Sequence, residues 1–144
     1  MPKLSFTRHV PYSPKQMLSL VADVESYPDF VPFCSDMQIE TGENKNTTYA
    51  KMSVQFGPIT QAYTSKVIVD EQANTISSDA IDGPFSHLKS TWKFEPEGED
   101  SLIKLDIDFG FSSRLLGKIA EPIFEQKQEE ILDAFMQEAK RRFA

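Results

Sequence analysis

SSRLLGKIAEPIFEQKQEEILDAFMQEAKRRF, residues 112–143, is the stretch that decides the fold. Its apolar side chains recur at three- and four-residue steps, as they do along one side of an α-helix. A helix of this length would run about 45 Å, since each residue adds about 1.5 Å, so its apolar side needs a broad partner surface. The apolar positions are Leu116, Ile119, Ala120, Ile123, Phe124, Ile131, Phe135 and Ala139.

Pro122 lies within this stretch and lacks the amide hydrogen that an interior helical residue donates. It would also suit the first position of a new helix. We therefore predict a short helical piece near 113–120 and a main helix from about 121 to 142. The alternative is one unbroken helix that winds around a twisted sheet.

The residues before this helix alternate between apolar and polar side chains, which is typical of antiparallel strands covered on one side. One such run is 4–10, and six more lie between Met37 and Phe111, separated by turns. Residues 13–16 have the form of a helix start, and Pro28 should end that helix. The prediction is one α+β domain, residues 1–144: a seven-stranded curved antiparallel sheet wrapped around a long C-terminal helix. One or two short helices are expected between strands 1 and 2.

Composition argues against several classes of function. The 144 residues carry a net charge of −7, which disfavours nucleic acid or anionic lipid as a partner of the whole surface but does not exclude a local basic patch. Cys34 is the single cysteine, so an internal disulfide is impossible and a reducing compartment is expected. No cluster of metal-ligand spacing occurs, and no run approaches the roughly 20 apolar residues that span a bilayer. We expect a cytoplasmic protein without a metal, which could be peripheral at the inner membrane.

The apolar faces of the strands are rich in Phe and would suit either a filled core or the dry wall of a ligand cavity. Alternation does not separate these two readings. Residues 30–33, Phe-Val-Pro-Phe, could plug the core or form a lid that touches a membrane. Inward polar groups that could orient a ligand are Arg8, Ser65, Ser78, Ser90, Lys127 and Gln128.

Catalysis is the weaker interpretation of these residues. His9 and His87 fall on polar strand faces, and Asp106 and Asp108 share a face that points away from Ile107. Paired carboxylates serve acid–base chemistry, but an outward pair is more simply a solvated one. No activated-nucleophile motif is present, so we predict a binding protein with no catalytic residues.

Residues 21–34, VADVESYPDFVPFC, resemble the signature of the coenzyme Q-binding START-type proteins, which belong to the helix-grip superfamily with the polyketide cyclases. Shorter matches follow in the right order at 83–85, 92–94, 109–116 and 131–135, so the resemblance covers nearly the whole chain. Phe33 stands where the family is associated with Trp, which keeps an aromatic ring.

The resemblance implies an elongated apolar cavity between the sheet and the C-terminal helix. It also implies binding of ubiquinone or a related prenyl lipid, in support of respiratory electron transport. The family includes a bacterial branch of ribosome-association toxins, said to block the joining of ribosomal subunits. The resemblance therefore also implies an alternative function, binding of ribosomal subunits, with the large subunit as a possible partner. A cyclase-type enzyme is a second alternative. Basic residues 140–142 would suit a ribosome or simply complement the helix dipole. The cavity and lid are expected to involve Phe6, Val21, Tyr27, Phe30, Val31, Phe33, Phe56, Phe85, Trp92, Ile107, Phe109, Phe124, Ile131 and Phe135, with Arg8, Ser90 and Gln128 as possible head-group contacts.

Overall fold

The computed structural model describes residues 3–56 and 59–143, without the side chains of Phe56 and Ile59. Along the chain the helices and strands are β1 (Lys3–Val10), α1 (Pro14–Ala22), a short 3₁₀ turn (Val24–Ser26), α2 (Tyr27–Phe30), β2 (Cys34–Thr41), β3 (Thr47–Phe56), β4 (Ile59–Asp70), β5 (Thr75–Ala80), β6 (Phe85–Glu97), β7 (Asp100–Phe111) and α3 (Arg114–Phe143).

The seven strands form one antiparallel sheet in the order β1-β7-β6-β5-β4-β3-β2. Strands β2 to β7 follow one another as a meander, whereas β1 pairs with β7, with Lys3 opposite Asp108. The predicted α+β architecture is confirmed: a curved seven-stranded sheet, a long C-terminal helix, and short helices between β1 and β2.

The start of α1 follows from its local sequence. The Ser13 side chain accepts a hydrogen bond from the Gln16 amide at 3.2 Å, and the Gln16 side chain accepts one from the Ser13 amide at 2.9 Å. This reciprocal capping box satisfies two amide groups that the first turn leaves without helical partners. Met17, Leu20 and Val21 of α1 are then almost fully buried, so the helix packs its apolar side into the core.

The predicted break at Pro122 is wrong, because α3 runs unbroken from Arg114 to Phe143 with Pro122 inside it. Ala120 and Phe124, on either side of the proline, are 5% and 6% exposed, and the Phe124 ring lies 4.5 Å from that of Phe109. Pro122 and Lys118, the residue whose carbonyl loses its helical donor, are both exposed. Packing therefore holds the turn together on the buried side, while the lost hydrogen bond falls on the side that water reaches.

Candidate functional site

A cavity of about 150 Å³ lies between the concave face of the sheet, the segment from α1 to Val31, and α3. Its wall is mostly apolar and draws on β2 to β7 as well as the helices. Ten of the residues predicted as cavity, lid or head-group contacts line it: Val21, Tyr27, Val31, Ser90, Trp92, Ile107, Phe124, Gln128, Ile131 and Phe135. The interior is therefore hollow rather than filled.

The volume sets the size of guest that this conformation accommodates. An apolar cavity of about 150 Å³ in another protein stays dry and takes up benzene. The cavity here thus matches one six-membered ring, and a long hydrocarbon chain attached to that ring would have to extend beyond it.

Eleven further residues line the cavity although the sequence did not predict them as cavity, lid or head-group contacts: Val24, Met37, Ala50, Met52, Tyr63, Ser65, Val67, Ile76, Ser78, Leu88 and Leu105. Those on strands occupy inward positions of the same alternation that predicted the sheet, and Ser65 and Ser78 were noted there as inward polar groups. The sequence pattern predicts which face of each strand points inward. It does not predict which inward residues along a strand reach the cavity.

The polar groups of the cavity differ in how far the protein already satisfies them. Ser78 and Ser90 sit opposite each other on β5 and β6 and share a hydrogen bond of 2.6 Å between their Oγ atoms. The Tyr27 hydroxyl donates to the Val21 carbonyl. Within the described residues, the side chains of Tyr63, Ser65 and Gln128 have no hydrogen-bond partner. These three can donate to a guest that carries carbonyl oxygens.

Burial keeps the phenols and the nearby thiol protonated. It raises the pKa of Tyr63 and of Tyr27 well above the usual value, with the Asp23 carboxylate adding to the effect on Tyr27. The same cause raises the pKa of Cys34 to about 11. Each of these groups is therefore neutral near pH 7, and Cys34 is a poor nucleophile.

Six predicted site residues lie outside the cavity lining. Phe109 packs behind the wall against Phe124, and Phe85 stacks on Phe111 with 5.0 Å between ring centroids. Phe6 is partly buried against the core. Arg8 points toward α3, where its Nη2 lies 3.8 Å from Asp133, and so spans the rim rather than facing a head group. The remaining two, Phe30 and Phe33, belong to the plug described next. The predicted contact from Phe56 lies outside the described side chains.

Residues 27–34 close one side of the cavity as a plug. Val31 is 4% exposed and contributes to the lining, and the ring of Phe30 meets that of Phe135 edge-on at 5.2 Å. Phe33 adopts a φ of 72°, rare for an aromatic residue, and its carbonyl accepts a 2.9 Å hydrogen bond from the Gln55 amide. Lys127, predicted to point inward, lies over the Phe33 ring at 5.0 Å. The membrane contact expected of this segment stays a prediction, since Phe30, Pro32 and Phe33 are partly exposed.

A charged cluster ties the plug to the end of α3. Glu138 is 7% exposed and accepts hydrogen bonds from Arg141 and from Arg142, the latter at 2.7 Å. These bonds, that of Arg141 foremost, lower the pKa of Glu138 to about 2 against the opposing effect of burial. Arg142 also bonds Asp23 at 3.2 Å and lies over the Phe30 ring at 5.7 Å. The basic C-terminal residues thus act largely within the fold.

The carboxylates considered for catalysis form pairs away from the cavity. Asp108 lies 2.9 Å from Nε2 of His87, and Asp106 accepts a 2.6 Å hydrogen bond from Ser5. Within residues 3–56 and 59–143, no three His, Cys, Asp or Glu side chains gather into a group that could hold a metal ion. No helix in the described part of the chain has the length and apolar content to cross a membrane.

Comparisons with known proteins agree on one family. Residues 10–136 match the family described as polyketide cyclase / dehydrase and lipid transport. The ribosome association toxin RatA of Rickettsia prowazekii is 36% identical over 142 residues, covering 95% of this chain and 97% of that protein. The mitochondrial coenzyme Q-binding protein coq10 of Schizosaccharomyces pombe is 32% identical over 138 residues, covering 93% and 84%.

Among solved structures, the Zhui aromatase/cyclase from Streptomyces sp. R1128 superimposes with a TM-score of 0.86 at 19% identity, over 99% of this chain and 96% of that one. At this identity the likeness concerns the fold alone, and it confirms the helix-grip architecture expected from the sequence.

Proposed function

The chain belongs to the polyketide cyclase / dehydrase and lipid transport family, and we propose that it binds coenzyme Q or a related prenyl quinone in the cavity beneath α3. The observation that carries this proposal is the cavity itself: an apolar space the size of one ring, lined by the donors of Tyr63, Ser65 and Gln128, which have no hydrogen-bond partner in the described part of the chain. A quinone ring is apolar on its faces and accepts hydrogen bonds at its two carbonyl oxygens, so it suits such a wall. The relative named as a coenzyme Q-binding protein supports this choice of ligand.

Binding rather than catalysis is also what the lining favours. Among the described residues that line the cavity there is no Asp, Glu, His, Lys, Arg or Cys. General acid–base chemistry needs a group that titrates near the working pH, and the two cavity phenols have a pKa raised away from that range. We infer a carrier that shelters the quinone and hands it on in support of respiratory electron transport, working in the cytoplasm and at the inner membrane.

Trp92 provides the test. It is the single tryptophan of the chain and lies in the cavity wall, where its ring meets that of Phe135 at 5.2 Å. A short-chain ubiquinone seated in the cavity should quench its fluorescence with saturation, and protein purified from its host should release an ultraviolet-absorbing quinone into organic solvent. Absence of both saturable quenching and an extractable quinone would contradict the proposal.

Ribosome binding is the second candidate, and the observation that favours it is the 36% identity to a protein named as a ribosome association toxin. At the basic end of α3, Glu138 and Asp23 engage Arg142, whereas the Arg141 side chain is 71% exposed and Lys140 is exposed, so these two are accessible to a ribosome. If this candidate holds, overexpression should shift the sucrose-gradient profile from joined ribosomes toward free subunits. An unchanged profile would count against it.

A further inference from the structure

The first turns of α3 expose apolar side chains that the fold does not cover. Leu115 is 73% exposed and Ile119 53%, although the sequence pattern placed Ile119 in the buried stripe. The two lie four residues apart, so they sit one above the other on the same side of the helix. They form a short aliphatic ridge on the surface.

Two cations accompany this ridge. Arg114 and Lys118 are both exposed, each one residue before a member of the ridge, and neither makes an ion pair with any described residue. The first turn of α3 contains no acidic residue to offset them or the positive end of the helix. In a chain of net charge −7, these two cations form a small positive site beside an apolar one, and it ends one turn further along α3 at Glu121.

The start of α3 is fastened to a neighbouring loop. The amide and the hydroxyl of Ser112 donate hydrogen bonds to the Pro84 carbonyl, at 2.9 and 3.0 Å, and so fasten the start of α3 to the loop between β5 and β6. Ile81 in that loop is 58% exposed. The fastening gives the ridge a fixed base rather than a frayed helix end.

A second, smaller cavity leads inward from the same part of α3. It measures about 20 Å³ and is lined by apolar residues that include Ala120, Ile123 and Phe124. Phe124 also lines the larger cavity, so its ring borders both spaces. Ala120 and Phe124 lie on the buried side of α3, roughly opposite to the ridge.

We propose that Arg114, Leu115, Lys118 and Ile119, the α3 patch, dock the protein onto a membrane that contains anionic lipid. Cations on one side of exposed aliphatic side chains suit an interface in which phosphate head groups lie just above acyl chains. RNA would bind the cations but would gain nothing from Leu115 and Ile119, which is why a lipid surface is the better occupant.

Vesicle sedimentation separates the two components of the patch. Wild-type protein should bind phosphatidylcholine vesicles weakly and vesicles enriched in phosphatidylglycerol strongly, with salt reducing the difference. Each cation near an anionic surface contributes about a factor of five, so R114Q/K118Q should weaken binding about thirtyfold. The control K51Q/K89Q makes the same change in net charge at two other exposed lysines and should bind as wild type does.

The aliphatic component has its own matched pair. L115S/I119S should lose most binding, whereas I39S/I68S, which alters two isoleucines that are 40% and 41% exposed elsewhere, should retain it. Equal vesicle binding by wild type and both patch variants would overturn the proposal. Binding of wild type to ribosomal subunits but not to vesicles, with the subunit binding lost in the patch variants, would overturn it as well. Quenching of Trp92 by a short-chain ubiquinone in vesicle-free buffer reports the quinone site alone, so a failure of docking is distinguishable from a failure of quinone binding.

Discussion

Replacing Ala50 by Leu should stabilise the protein and abolish quinone binding. Ala50 is 4% exposed on β3, between Ile39 of β2 and Ser65 of β4, and it lines the cavity. A leucine at this position would place three more carbon atoms in space that now holds none. The substitution therefore measures directly whether the hollow is available.

The expected gain follows from the size of the hollow. An empty volume of 150 Å³ costs about 3.6 kcal/mol at about 24 cal/mol per Å³, which is the most that filling it could recover. Three buried carbons contribute about 2.4 kcal/mol. Ordering the leucine side chain costs about 0.5–1 kcal/mol. The net gain is about 1.5 kcal/mol, or a rise in Tm of about 3–6 °C.

Urea unfolding followed by Trp92 fluorescence measures the stability, and quenching by a short-chain ubiquinone measures the binding. The matched control is Ala139→Leu, because Ala139 is 0% exposed in α3 and does not line the cavity. Overpacking there should cost about 1–3 kcal/mol. If Ala50→Leu is destabilised as much as the control, the hollow is not there to be filled. If it is stabilised yet binds quinone unchanged, the ring binds elsewhere.

Three further predictions concern single side chains. Glu138→Gln should lower the free energy of unfolding at pH 7 by about 1–3 kcal/mol. Because the pKa of Glu138 is lowered to about 2 in the folded state, its contribution to stability is present above pH 4.5 and is lost as the pH falls toward 2. Acid unfolding curves should show that loss in wild type and not in Glu138→Gln. The control Glu130→Gln, at an exposed carboxylate, should unfold as wild type does. Tyr63→Phe should weaken quinone binding about five- to tenfold with little change in stability, since the Tyr63 hydroxyl has no partner among the described residues. Tyr27→Phe should instead destabilise the fold by about 1 kcal/mol, because the Tyr27 hydroxyl donates to the Val21 carbonyl. If quenching and urea titrations show the effects the other way round, Tyr63 is not a head-group contact. Phe135→Ala should cost about 3–5 kcal/mol, because this 2% exposed ring touches Tyr27 and other rings of the cavity wall, and a loss below 1 kcal/mol in urea unfolding would mean that the site collapses freely.

Features that depend on local chemistry were predictable from the sequence. Alternation indicated the strands, and the capping box at Ser13 and Gln16 indicated where α1 begins. The break expected at Pro122 failed because the lost hydrogen bond is one local term, while the burial of Ala120 and Phe124 on both sides of it is a tertiary one.

The candidate site was predictable as a face of the sheet and not as a volume. Phe109 and Trp92 both occupy inward positions on their strands, yet Trp92 lines the cavity and Phe109 packs against Phe124 outside the lining. Which inward positions reach the cavity depends on the path of α3 over the sheet. The hydrogen bond from Arg142 to Asp23 joins residues 119 positions apart in the sequence, and patterns in a single sequence do not predict contacts at that separation. Ile119 shows the opposite error: it belongs to the apolar stripe of α3 but is 53% exposed, because the stripe extends beyond the part of the sheet that the helix covers.

The pairing of β1 with β7 has a consequence for how the chain is made. Lys3 is translated 105 residues before Asp108, its neighbour in the sheet, and the 30-residue helix α3 that covers the sheet follows β7 in the sequence. During synthesis, β1 and the apolar sides of the meander must wait for partners that do not yet exist, and pairings this distant in sequence form slowly. The nascent protein therefore exposes unpaired strand edges and apolar faces until α3 has been translated, and its folding should depend on chaperones during that interval.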